Sequence, residues 1–341
     1  MTKIEDIAKQ MLGKGKGILA ADESTGTMTK RLSGINVEST AENRIKFRET
    51  LFSADGMKNY ISGVILYDET IKQKSSSGMS VPELISKSGV LPGIKVDAGT
   101  KKLAGSNNET ITEGLDGLRE RLKIYYDLGA RFTKWRGVFK ISITNSMPSI
   151  NAIKSNAHAL ARYTALVQEA NMVPIVEPEV LMDGDHDIKT CHRVTSAVLK
   201  ETFYQLSNCG VNLKGIVLKP NMILNGAMSD QKNETKQVAE MTLDCLEKNV
   251  PVEVPGIAFL SGGQSEIEAT QNLNEINKIN NTNFLMSFSY GRALQQSALK
   301  NWGKNIKDTI NTQNIFNHRS KMNSLSTSAK WSMDLEKQIK A

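Results

Sequence analysis

Eight short, β-rich apolar segments punctuate the chain, and nothing else in it limits the possible folds as strongly. They cover residues 18–21, 63–67, 93–96, 132–135, 173–176, 215–218, 256–260 and 284–288. Between them, apolar residues recur at helical spacing. Ile45, Phe47, Leu51 and Phe52 form one such set, and Leu115, Leu118, Leu122 and Tyr126 another. Ile150, Ile153, Ala157, Leu160 and Ala161 form a third, and Val194, Val198, Leu199 and Phe203 a fourth. Met241, Leu243 and Leu246 mark a helix before the seventh segment, and Ser265 with Glu268 has capping-box spacing after it. Eight strand–helix alternations specify an α/β chain with a closed parallel sheet, the (β/α)8 or TIM barrel, over an open doubly wound sheet. At 341 residues the chain suits one such barrel. No repeat, linker or composition shift divides it. The expected organisation is a single catalytic domain over 1–310, with extra terminal helices. Residues 311–341, rich in Asn, Ser and Lys, should form a C-terminal helix and a mobile tail.

Composition removes several function classes. Three cysteines with no C-x-x-C spacing argue against a disulfide scaffold and for a reducing compartment. Four dispersed histidines form no obvious zinc set, so no metal is expected; no cofactor is expected either, because a lysine can serve as the electron sink. No apolar run has the length of a membrane span, and the first residues lack a secretory h-region, so the expected location is cytoplasmic. The net charge of +7 raises the question of nucleic acid. The basic residues are scattered without interleaved aromatics, which fits a focused pocket for a small anion better.

The positions of the charges carry the functional reading. Most strand segments run into a polar or charged residue at their C-terminal end: Asp22, Asp68, Lys95, Lys134 with Arg136, Glu177 with Glu179, Lys219, Ser261, and Ser289 with Arg292. In a barrel these ends converge on one face. Polar loop starts would explain one or two of them. They explain less well three lysines at the edge of apolar segments, where burial is costly without a partner or a task.

Lys219 follows Gly215-Ile216-Val217-Leu218 and precedes Pro220. A lysine becomes a nucleophile when burial and a neighbouring cation favour its neutral amine. Lys134 stands two strands away to act as that cation, and Glu177 on the intervening strand could move protons. The three suit Schiff-base chemistry on a carbonyl, with a structural Lys219–Glu177 salt bridge as the plainer reading. Leu260-Ser261-Gly262-Gly263 before a capped helix, and Ser289-Tyr290-Gly291-Arg292, read as a phosphate site after strands seven and eight.

Other motifs fail on context. Gly13-Lys14-Gly15-Lys16-Gly17 precedes a strand and lacks P-loop spacing. Asp183-Gly184-Asp185-His186-Asp187 lacks the glycine and terminal acid of a calcium loop and reads as a helix start with favourable acids. The stretch from Asn225 to Lys236 reads as a surface loop leading into a helix.

Several ordered motifs together resemble one family. Gly17-Ile18-Leu19-Ala20-Ala21-Asp22-Glu23-Ser24-Thr25-Gly26, Gly93-Ile94-Lys95-Val96-Asp97, Lys134-Trp135-Arg136 and Val176-Glu177-Pro178-Glu179 are similar to those of class I fructose-1,6-bisphosphate aldolases. So are Leu218-Lys219-Pro220-Asn221, the run 259–265 and the run 288–294. The likeness extends from about residue 5 to about residue 305.

The resemblance implies reversible, metal-independent cleavage of fructose 1,6-bisphosphate to dihydroxyacetone phosphate and glyceraldehyde 3-phosphate. It casts Lys219 as the Schiff-base lysine, Glu177 as the acid/base at the carbinolamine and Asp22 as the group that takes the C4 hydroxyl proton. Lys134 would tune Lys219 and Glu179 would hold the lysine network. Ser261, Gly262, Gly263, Ser289, Gly291 and Arg292 would bind the C1 phosphate. Ser24, Thr27, Arg31, Lys95 and Arg136 would bind the C6 phosphate. Thr27 stands where many relatives have serine. A homotetramer, without nucleic-acid or membrane partners, is also implied. Other Schiff-base barrels, a transaldolase among them, and a catalytically silent scaffold are the rivals. The second phosphate cluster speaks against the former, and the retained Asp22, Glu177 and Lys219 against the latter. Well-known relatives end in a tyrosine that assists proton exchange; here no tyrosine follows Tyr290. The role then falls to Glu179, Glu177 or a water.

Overall fold

The computed structural model describes residues 3–338. Ten strands form: β1 Gly17–Ala21, β2 Ile61–Leu66, β3 Leu91–Lys95, β4 Thr100–Lys102, β5 Thr110–Thr112, β6 Phe132–Phe139, β7 Val173–Val180, β8 Val217–Leu218, β9 Gly256–Phe259 and β10 Leu285–Tyr290. Eight of them close a parallel barrel in the order β1-β10-β9-β8-β7-β6-β3-β2. Every predicted segment lies on one of the eight.

The strand edges depart from the expected ones for local reasons. Leu213–Gly215 turns into a 3-10 helix, which leaves β8 only two residues. β7 continues through Pro178 to Val180, a stretch that the sequence reading took as polar strand end. The antiparallel β4–β5 hairpin was not anticipated; its strands of three residues are too short and polar to show a period.

Two cores result from the strand period of two. Ile18, Ala20, Ile65, Phe132, Val173, Ile175, Val217 and Ala258 fill the barrel interior. The N-terminal helix Ile4–Met11 adds Ile7, Ala8 and Met11 to that cluster and stops its lower end. Phe132 fits because β2 and β3 carry glycine opposite it: a methyl on Gly63 or Gly93 would lie within 3 Å of the ring. Residues of opposite parity, such as Leu19, Val64, Trp135, Val176 and Leu218, pack outward against the helices.

Extending the inward parity toward the strand C-termini gives Asp22 after Ala20, Lys134 after Phe132, Glu177 after Ile175 and Lys219 after Val217. Apolar filling at one end and chemistry at the other are one alternation. The helices begin where the sequence suggests. Ser265 and Glu268 complete the capping box of the helix Glu266–Ile279. Asp187 caps the helix Ile188–Asn208, accepting from the Thr190 amide at 2.8 Å.

The segment beyond Ser326, expected as a mobile tail, is packed as far as it is described. After the helix Thr309–Ser326, the Trp331 amide donates to Asn274 Oδ1 at 3.0 Å. Trp331 Nε1 donates to Glu336 Oε2 at 2.8 Å, and Arg319 Nη2 to the same oxygen at 2.9 Å. Residues 339–341 of that expectation lie outside the described residues.

Candidate active site

A cleft of about 810 Å³ opens at the C-terminal end of the barrel. All sixteen site residues named from sequence line it: Asp22, Ser24, Thr27, Arg31, Lys95, Lys134, Arg136, Glu177, Glu179, Lys219, Ser261, Gly262, Gly263, Ser289, Gly291 and Arg292. One strand-end residue does not join them. Asp68 starts a short helix instead, pairing with Lys72 and accepting from Tyr125 at 2.7 Å, while Tyr67 faces the cleft.

A chain of alternating charges crosses the floor. Lys134 Nζ is 2.7 Å from Asp22 Oδ2 and 3.3 Å from Glu177 Oε2; Glu177 Oε1 is 3.0 Å from Lys219 Nζ. Lys134, Glu177 and Lys219 are each about 5% exposed or less, so water screens these contacts little. Burial alone would push the Asp22 carboxyl up. Lys134, Lys219 and Lys95 outweigh it and hold the group far below the usual carboxylate range. Burial likewise disfavours the Lys134 ammonium, and the facing Asp22, Glu177 and Asp97 more than compensate, so it stays charged.

Glu179 is placed differently from its expected role. Its Oε2 accepts from Arg136 Nη1 at 2.9 Å, and the structure shows no direct contact with either lysine. Burial, with Glu177 nearby, raises its carboxyl despite the Arg136 and Lys219 charges.

The polar groups sort to two sides. After β9, Gly262 and Gly263 take φ of 55° and 90°, a region that favours glycine, and the Gln264 amide closes the turn on Ser261 O at 3.0 Å. Gly291 precedes the helix Arg292–Lys304 with no side-chain cap, which leaves first-turn amides open to an anion. Ser289 is 1% exposed and its hydroxyl has no partner among the described residues. Arg292 makes no ion pair there either. Opposite, Ser24 caps the helix Thr25–Ser33 and lies 3.1 Å from the Thr27 hydroxyl. Lys95 pairs with Asp97 at 2.6 Å. Arg31 sits between the two sides: a methyl on Gly291 would lie 3.8 Å from its Nη2.

Sequence reasoning missed Glu23, Asp97, Met182 and Asp183, which also line the cleft. Asp97 was inside a quoted motif, two residues after Lys95, and that spacing was the available signal. Met182 and Asp183 are held by the segment after β8: the Ala227 amide donates to Met182 O at 2.8 Å. The start of that segment is buried, contrary to the surface loop expected from its polarity. Asn225 is 1% exposed and accepts from the Ile188 amide at 2.7 Å. Among the described residues, no group of three or more His, Cys, Asp or Glu is arranged to hold a metal, and no helix is long and apolar enough to cross a membrane.

Comparison with known proteins points to one family. A family model described as fructose-bisphosphate aldolase class-I matches residues 3–341. A probable fructose-bisphosphate aldolase class 1 of Xanthomonas campestris is 48% identical over 330 residues, spanning 96% of this chain and 98% of the relative. A cytosolic fructose-bisphosphate aldolase of Arabidopsis thaliana is 52% identical over 92% of this chain and 79% of its own length. The fructose-bisphosphate aldolase of Plasmodium falciparum, solved with TRAP and a small-molecule inhibitor, superposes with a TM-score of 0.95 at 43% identity, over 96% of this chain and 95% of that one.

Proposed function

From the membership of this chain in the class I fructose-bisphosphate aldolase family, we propose that Lys219 is its Schiff-base nucleophile and that Glu177 moves the protons of that step. The reaction is the reversible glycolytic cleavage of fructose 1,6-bisphosphate to dihydroxyacetone phosphate and glyceraldehyde 3-phosphate. The observation that carries the assignment of roles is Glu177 standing 3.0 Å from Lys219 and 3.3 Å from Lys134.

Lys219 passes a proton to Glu177 across their 3.0 Å contact, and the neutral amine so formed attacks the ketose C2 carbonyl. The carbinolamine oxygen takes a proton from the attacking nitrogen, Glu177 returns its proton to that hydroxyl, water leaves, and an iminium links C2 to Nζ. Asp22, kept ionised by Lys134, accepts the C4 hydroxyl proton. The C3–C4 bonding pair flows into the iminium, and the aldehyde departs from a neutral enamine. Protonation at C3 and hydrolysis then release dihydroxyacetone phosphate. Glu177 suits that protonation better than Glu179, whose Oε2 is engaged by Arg136. Lys134 supplies the fixed positive charge beside both carboxylates.

The C1 phosphate is assigned to Ser261, Gly262, Gly263, Ser289, Gly291 and Arg292. The C6 phosphate is assigned to Ser24, Thr27, Lys95 and Arg136, with Arg31 reaching between the two. The anchored ends fix the sugar, so binding energy remote from C3–C4 holds it for cleavage. A homotetramer and a cytoplasmic location complete the proposal; the first rests on the family and the second on the cytosolic Arabidopsis relatives.

Borohydride reduction in the presence of dihydroxyacetone phosphate, followed by peptide mass mapping, tests the central assignment. The adduct is expected on Lys219. An adduct on another lysine, or full turnover by Lys219→Ala, refutes it.

A further inference from the structure

We propose that Glu23 is a positioning residue that aims Arg31 at the substrate phosphate, and the arrangement of buried donors around its carboxylate carries this. Glu23 lies between Asp22 and Ser24 at the end of β1, yet its side chain is only 5% exposed. Arg31 Nη1 donates to Oε1. Gln295 Nε2 reaches the same oxygen at 3.1 Å while also donating to Ala20 O at 2.7 Å. Arg48 Nη2 stands 3.4 Å from Oε2 and donates to the Glu23 carbonyl at 2.9 Å.

Each donor comes from a different place on the rim. Arg48 is anchored through Nη1 to Thr70 Oγ1, after β2, at 2.7 Å. Gln295 is three residues beyond Arg292, on the helix that follows β10. β2 and β10 are the two barrel neighbours of β1. One carboxylate thus joins the ends of three adjacent strands.

The two arginines have different fates. Arg48 is 1% exposed and serves only this buried junction. Arg31 lines the cleft with its side chain 19% exposed. Since Nη1 is engaged by Glu23, the guanidinium plane is set, and Nη2 is the nitrogen directed to Gly291 and the cleft. A planar fork aimed in advance loses less freedom when an anion arrives than a free side chain does. Glu23 itself touches no substrate in this account; its effect on binding passes through Arg31.

The inference rests on Arg31 contacting phosphate, and a double-mutant cycle separates the two ideas. The variants are Glu23→Gln, Arg31→Ala and the pair together. The readouts are competitive inhibition of cleavage by inorganic phosphate, the KM for fructose 1,6-bisphosphate, and the melting temperature. Glu23→Gln keeps the shape of the side chain and removes its charge. It should weaken phosphate inhibition and raise KM by roughly tenfold in the native background, but by less than about twofold in the Arg31→Ala background. The melting temperature should fall similarly in both backgrounds, because the Arg48 junction is common to them. Glu23→Asp, which restores the charge, should recover part of the phosphate inhibition. Equal weakening of phosphate binding by Glu23→Gln in both backgrounds overturns the positioning role and leaves Glu23 as rim structure. Undiminished phosphate inhibition in Arg31→Ala alone overturns the phosphate contact of Arg31, and with it the inference. If Glu23→Gln fails to fold, the comparison of Glu23→Asp in the two backgrounds decides by the same criterion.

Discussion

Replacing Lys134 with methionine removes the cation that stands between the half-buried Asp22 carboxylate and the buried Glu177 carboxylate. Lys134 is 2.7 Å from Asp22 and 3.3 Å from Glu177, and Lys219 remains to neutralise Glu177 at 3.0 Å. The charge left stranded is therefore chiefly that of Asp22. Breaking a buried pair from one side costs on the order of 3–5 kcal/mol. Because Asp22 can take up a proton and the cleft is open, about 3 kcal/mol is the reasonable end of that range. At about 2.1 cal/mol/K per residue, the unfolding entropy of 341 residues is about 0.7 kcal/mol/K, so the melting temperature should fall by roughly 4 °C at pH 7.

The sign of the pH dependence follows from the two shifts. In the native protein the Asp22 carboxyl is depressed, so its contribution is present above its ordinary value of 3.8 and fades as pH falls through the folded value. The Lys134 ammonium is raised, so its contribution is present below 10.5 and is lost only as pH rises above that. In the variant only Lys219 and Lys95 remain to oppose burial, so the Asp22 carboxyl lies higher than in the native protein and less stability is gained as pH climbs from about 4 toward neutrality. The deficit should accordingly be largest near pH 7 and shrink toward pH 4. Differential scanning fluorimetry of both proteins across that range measures it. An unchanged melting temperature at pH 7, or a deficit that grows toward acid, refutes the reasoning. Cleavage should fall by about two to three orders of magnitude as well, since a fixed charge beside the reacting groups is lost.

Arg292→Ala should raise the dissociation constants of both fructose 1,6-bisphosphate and dihydroxyacetone phosphate by about tenfold or more. Lys95→Ala should weaken the bisphosphate more than dihydroxyacetone phosphate, and equal effects of both substitutions on both ligands, measured by calorimetry, would contradict two phosphate sides. Truncation after Ser326 should leave both cleavage and hydrogen exchange at C3 of dihydroxyacetone phosphate largely unchanged, and a selective collapse of exchange would assign the tail a catalytic part. The same truncation should lower the melting temperature by several degrees, because Arg319, 4% exposed, loses the Glu336 carboxylate that pairs with it.

The fold was legible because a strand and a helix have different apolar periods, and eight repeats of that difference leave little choice of architecture. The site was legible because barrel closure turns sequence-distant strand ends into neighbours. Strand order alone groups Lys134, Glu177 and Lys219. What escaped has physical causes. Asp68 looked equivalent to Asp22, but the chain turns into a helix at that residue, and its carboxylate meets Lys72 and Tyr125 outside the cleft. Asn225 looked like surface because its composition is polar; burial is satisfied there by hydrogen bonds to Ile188, Lys232 and Asn233, which involve partners unknown to a local reading. Glu179 was assigned to the lysine network by the family resemblance. Its partner Arg136 lies on the adjacent strand, paired with Glu177 in register, so the diagonal neighbour is decided by sheet geometry.

Overall charge is a poor guide to how the cleft recognises anions. The chain carries +7, yet six cationic residues line the cleft (Arg31, Lys95, Lys134, Arg136, Lys219, Arg292) and six acidic ones (Asp22, Glu23, Asp97, Glu177, Glu179, Asp183). The site is formally neutral, so a sugar bisphosphate is not held by a net field. Among the described residues, five of those cations are paired with a carboxylate of the same cleft. Arg292 is the exception, and it stands beside the unpartnered Ser289 hydroxyl and an uncapped helix start. A phosphate at Lys95 or Arg136 must share a cation with Asp97 or Glu179, whereas at Arg292 it competes with no side chain. The side formed by β9 and β10 is therefore where a phosphate gains most for least rearrangement. On the proposed assignment the β1, β3 and β6 side would discriminate, because only a ligand already anchored opposite would hold a second phosphate at the local concentration needed to compete with those carboxylates. That asymmetry requires loss of Arg292 to weaken every phosphorylated ligand, and loss of Lys95 chiefly those with two phosphates.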